Sequence, residues 1–100
     1  MDLLVFDLAP KLDRLLVRLG LKPDNDVHDL YRNLGQLTEE SSRRKSKFKN
    51  KPTPANVNNF HLTRRARNLV CHLDYPDLLK EHDALLEAIM HTISFVDKEL

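Results

Sequence analysis

A single cysteine, Cys71, stands in this chain of 100 residues, so an internal disulfide is excluded and paired thiolates for an ordinary structural zinc site are missing. The expectation is an intracellular, cytoplasmic protein without a cofactor. Glycine is nearly as scarce, with two residues against five prolines, and no glycine-rich phosphate loop and no internal repeat can be drawn. Long hydrophobic runs are missing as well. The apolar opening from Met1 to Ala9 is interrupted by Asp2 and Asp7, lacks a basic leader and is far too short to cross a bilayer, so no membrane segment is expected. Nor does the spacing of His28, Asp29, His82 and His91 demand a metal. At this length, with 41% hydrophobic and 31% charged side chains, the chain fits one small domain. Such a domain buries roughly 60 to 65% of its unfolded surface and gains from self-association.

The most informative absence is that of acid. From Ser41 to Leu73, thirty-three consecutive positions hold no Asp or Glu, while Arg43, Arg44, Lys45, Lys47, Lys49, Lys51, Arg64, Arg65 and Arg67 give that block +9. The whole chain carries only +1, so the other sixty-seven residues sum to −8. Cationic and acidic regions are therefore segregated, which is the electrostatic footprint of a protein that meets a polyanion. Six of the nine residues from Arg43 to Lys51 are basic. Each could release counterions from a nucleic-acid backbone, with Phe48 available to stack on an unpaired base.

Apolar residues repeat near every 3.6 positions, which predicts an all-α fold: a small antiparallel helical bundle of about four helices, with a basic loop between its two halves. The helices are expected near 7–19, 26–45, 54–73 and 75–99, and a flexible loop near 46–56. Asp7 would cap the first, with Pro10 in the tolerated opening turn, a seam of Val5, Leu8, Leu12, Leu15 and Leu19, and Gly20 as its end. After a Lys22-Pro23-Asp24-Asn25 turn, Asp26 would cap a second helix burying Val27, Leu30, Tyr31, Leu34 and Leu37, with a break at Gly35 and a restart at Thr38-Glu39-Glu40. Thr53 and Pro54 open the third, which would bury Leu62, Ala66, Leu69, Val70 and Leu73. Asp74 would cap the last, on a stripe of Leu79, His82, Leu86, Ile89, Ile93, Val96 and Leu100 widened by Leu78, Leu85 and Met90. His82 and Cys71 are expected to be packing residues.

Within the acid-free block lies Arg67-Asn68-Leu69-Val70-Cys71-His72. An arginine followed by a polar residue, with histidine five positions on, resembles the signature of HEPN domains, helical ribonucleases of toxin–antitoxin systems and RNA-targeting CRISPR effectors. The resemblance covers these six residues and their helical setting. It implies a metal-independent endoribonuclease acting as a homodimer, with His72 as base or acid, Arg67 as phosphate clamp and Asn68 as a positioning group, the groove lying between two protomers. The chemistry suits the residues, because histidine changes charge near neutrality and arginine offers paired donors to a phosphate. Helix geometry adds a constraint. Positions five apart stand about 140° apart around a helix, so Arg67 and His72 do not share a face unless the helix ends or bends between them, whereas His61, Arg65, Asn68 and His72 fall into one polar stripe.

Two functions therefore stand side by side. One is an RNA-binding endoribonuclease of HEPN type. The other is a non-catalytic helical adaptor or small subunit that binds nucleic acid or an acidic protein partner, in which Arg43, Arg44, Lys45, Lys47, Lys49, Lys51, Arg64 and Arg65 supply the contacts and RNA is the favoured nucleic acid. Long apolar seams on the first and last helices favour a homo-oligomer.

Overall fold

The computed structural model describes residues 3–23, 30–45 and 47–99, with side chains from residue 7 onward. The expected roles of Val5, Asp24, Asn25, Asp26, Val27 and Leu100, and the positions of His28 and Asp29, lie outside the described residues. Within them the fold is all-α, a small helical bundle of five helices: α1 (Leu3–Arg18), α2 (Leu30–Arg44), α3 (Pro54–Cys71), α4 (Tyr75–Lys80) and α5 (His82–Glu99).

Local chemistry accounts for several ends. Thr53 caps α3 with a reciprocal pair of bonds, its Oγ1 accepting from the Asn56 N–H at 3.2 Å while Asn56 Oδ1 accepts from the Thr53 N–H at 2.9 Å. Pro54 fills the first helical position, where its missing N–H costs nothing. Asp74 caps α4 through the Asp77 N–H. The α1 helix ends on Gly20 at φ 78°, with the Leu21 N–H returning to the Leu16 carbonyl and the Gly20 N–H to that of Val17.

Four boundaries depart from the expectation. The α1 helix starts at Leu3, so Asp7 lies inside it rather than capping it, and Pro10 is interior, on an exposed face. Gly35 does not break α2, and no restart occurs at Thr38, whose hydroxyl donates to the Leu34 and Gly35 carbonyls of the same continuous helix. The α3 helix closes at Cys71 rather than at 73, which leaves Leu73 68% exposed. The expected last helix is divided at Glu81 into α4 and α5. Leu79 consequently stands 75% exposed instead of in the stripe, Met90 is 38% exposed, and His82 is half-buried with its Nδ1 3.2 Å from Asp83 Oδ1.

The core joins Leu12, Leu15 and Leu16 of α1, Leu34 and Leu37 of α2, Phe60 and Ala66 of α3, and Leu85, Ile89, Ile93 and Val96 of α5. Helices α3 and α5 run antiparallel, since Phe60 meets Phe95, Thr63 meets Thr92 and Arg65 meets Glu81. The Thr63 hydroxyl donates to the Asn59 carbonyl at 2.8 Å, so the Thr92 hydroxyl is the donor in the buried 3.0 Å bond between the two threonines.

The segment between α2 and α3 is held rather than loose. Phe48 is buried, its ring edge-on to Phe95 at 5.3 Å. The Lys49 N–H donates to the Glu99 carbonyl, and Asn50 donates from backbone and side chain to the Glu99 carboxylate. Phe48 is thus a core residue, not a free stacking platform. An aromatic ring flanked by lysines gains more from burial than from water, and the lysines on either side remain outside.

Candidate functional site

Helix α3 presents different chemistry on its two sides. On one, His61, Arg64, Arg65, Asn68 and His72 line an open groove together with Leu69 and Asp74. Steps of three and four residues keep these side chains in line, and the eleven steps from His61 to His72 extend about 16 Å along the axis. Although α3 ends at Cys71, His72 stays on the stripe. Its backbone remains near the helical basin at φ −93° and ψ 6°, with its N–H donating to the Asn68 carbonyl.

The arginines of this groove are not equivalent. Arg65 is gripped by Glu81, with Nε 3.0 and 3.1 Å from the two carboxylate oxygens and Nη2 2.6 Å from one of them. That paired hydrogen bond, reinforced by the attraction of opposite charges, raises the Arg65 guanidinium and holds the Glu81 carboxyl below the usual glutamate range. Arg64 has no ion-pair partner among the described residues and is half-buried in the same groove.

Arg67 projects to the other side of α3. It lines a second groove, between α2 and α3, with Arg32, Gly35, Gln36, Glu39 and Cys71. A Cβ at position 35 would lie 3.1 Å from Arg67 Nε, so glycine there allows the guanidinium stem to lie against α2. The Arg67 Nε is buried without a hydrogen-bond partner among the described residues. Within one chain, therefore, Asn68 and His72 come together while Arg67 lines a different groove, as the 140° relation requires. Cys71, expected to be packed, is exposed on this second groove.

The remaining cations divide in the same way. Arg43 and Arg44 both reach Glu40, at 3.8 and 2.6 Å, and Arg44 also donates to the Leu19 carbonyl. Lys45, Lys47, Lys49 and Lys51 are exposed and without ion pairs among the described residues. Sequence alone did not reveal Glu81 as the partner of Arg65, because it lies sixteen residues on, at a junction whose direction only the fold sets, whereas Glu40 stands three and four residues before Arg43 and Arg44 on α2, a spacing at which helical side chains meet. A close approach of Arg67 did have a signal: Gly35, the one glycine inside an otherwise strong helical pattern.

Among the described residues, no group of three or more His, Cys, Asp or Glu side chains could hold a metal ion, and no helix is long and apolar enough to cross a membrane. No protein-family model, curated protein or solved structure matches the chain.

Proposed function

We propose that the protein binds nucleic acid, RNA first among them, by laying successive phosphates along the outward stripe of α3. The observation that supports this reading is the alignment of His61, Arg64, Asn68 and His72 in one open groove, over a length of about 16 Å that exceeds a single phosphate and suits a strand. Lys45, Lys47, Lys49 and Lys51, exposed and without ion pairs among the described residues, add a sequence-independent attraction. Imidazole and amide donors between cations hold a backbone without reading bases, so the function that follows is that of a small helical subunit or adaptor.

Fluorescence anisotropy with a labelled single-stranded RNA tests it. Joint replacement Arg64→Gln and His72→Ala should weaken binding about tenfold and flatten the dependence on salt by about one phosphate contact. Arg67→Gln, which changes the other groove, should stay within about twofold of the parent. Equal losses in the two variants would contradict the reading.

A second reading, the homodimeric HEPN-type endoribonuclease, draws support from Asn68 and His72 lining the same groove beside Arg64. It requires Arg67 to reach that groove across a dimer. Incubation with RNA in the absence of divalent metal decides between them. Cleavage abolished by both Arg67→Ala and His72→Ala supports the nuclease, and tight binding without cleavage supports the adaptor.

A further inference from the structure

The groove that gathers the histidines and arginines of α3 also holds one side chain of the opposite charge, Asp74. Its backbone fixes it there. Helix α3 ends in a turn with Leu73 at φ 57°, from which the Asp74 N–H returns to the Leu69 carbonyl at 2.8 Å and the Leu73 N–H to that of Val70. Glycine adopts this left-handed conformation freely, whereas a leucine is strained in it. Burial does not offset the strain, since Leu73 is 68% exposed. The turn instead folds the chain back, so that Asp74 lines the same groove as Asn68 and His72.

That carboxylate keeps an oxygen for something else. Its Oδ1 accepts from the Asp77 N–H at 3.3 Å, while Oδ2 has no hydrogen-bond donor among the described residues. The Arg65 guanidinium, whose charge reaches Asp74, is bonded to Glu81 instead. An ionised carboxylate only accepts hydrogen bonds, and so does a phosphate diester, so the two repel. Asp74 calls for a donor. In a strand whose phosphates lie along the cations of α3, the groups between phosphates are sugars, and ribose carries a 2′-hydroxyl donor that deoxyribose lacks.

We infer that Asp74 accepts a hydrogen bond from the 2′-hydroxyl of a ribose bound beside His72, and so makes the α3 groove select RNA over DNA. The inference rests on the reading of the stripe as a phosphate site. Arg64, Asn68 and the two histidines hold either kind of backbone, because they meet only phosphates. The acid weakens every strand by its charge and recovers that loss only for a strand that donates to it, which is how one residue sets a preference.

Anisotropy competition at about 50 mM salt tests this with three strands of one base sequence: RNA, the same strand with fluorine in place of every 2′-hydroxyl, and DNA. Fluorine leaves phosphates and bases in place and removes the donor. The parent should bind the RNA about fivefold tighter than either other strand. Asp74→Asn, whose side chain caps a helix as well as aspartate does, should bind the RNA and the fluorinated strand within about twofold of each other, chiefly because the fluorinated strand gains. Asp77→Asn removes an equal charge from the same turn, at a residue that does not line the groove, and should keep the parent's preference. If no strand binds the parent, the phosphate reading falls and the inference with it. If the strands bind but the parent holds RNA and the fluorinated strand alike, the stripe stands and the inference is overturned. It is equally overturned if Asp74→Asn keeps the preference, or if Asp77→Asn loses it as fully.

Discussion

Arg67 and His72 stand five residues apart on one helix end, and that spacing sends them into two different grooves. At the scale of single residues, chemical type is written in the sequence, but the neighbour that claims a side chain is not. Arg65 shows the difference: the chain announces a cation, and the fold spends it on Glu81. Glu81→Gln should therefore release Arg65 toward the groove and tighten RNA binding several-fold, measured as above. The same pair predicts a response to acid. A carboxyl held below its usual range stabilises the fold fully above roughly pH 4.3 and loses that contribution as pH falls through its lowered value. In thermal melts between neutral pH and pH 3, Glu81→Gln should lose less stability on acidification than the parent. Identical acid profiles would show that the exposed pair contributes nothing to stability.

Among the elements, helices were legible where propensity, capping and periodicity agree. Thr53-Pro54 marks the start of α3 and Gly20 the end of α1, because both depend on backbone chemistry of the residues themselves. The division of α4 from α5 was hidden for a physical reason. Leu78 and Leu85, both buried, are seven residues apart and keep the same face whether or not the helix breaks at Glu81. The α3–α5 contact was also illegible, since its centre is polar. Thr63 and Thr92 are fully buried and share a hydrogen bond, whereas periodicity searches only for apolar residues. Thr63→Val removes the acceptor and leaves the Thr92 hydroxyl buried and unpaired, at an expected cost of about 1 to 3 kcal/mol in chemical denaturation. Replacing both threonines with valine should recover most of it. A double variant as unstable as the sum of the singles would show that the bond is not what couples the helices.

Across the whole molecule, the acid-free block proved to be two surfaces. Its first half wraps a buried Phe48 and presents lysines that have no ion pairs among the described residues, and its second half is the stripe of α3. Segregation of charge was plain in the sequence, because counting needs no fold. The division into two surfaces was not, because it depends on which way the side chains of α3 and of the segment before it turn. Phe48 illustrates the limit: composition placed it in a basic loop, and only the packing of Phe95 beside it shows that the loop is pinned to the core.

If the outward stripe of α3 holds a phosphate backbone, as proposed, RNA must perturb that stripe first. The most direct measurement is a nuclear magnetic resonance titration of the isotope-labelled protein with a short single-stranded RNA, following every amide and the histidine rings. Shifts are expected at His61, Arg64, Asn68 and His72 and over Lys45 to Lys51, fading as salt rises. Shifts confined to the α2–α3 groove around Arg67 and Gly35, or no shifts at low salt, would contradict it.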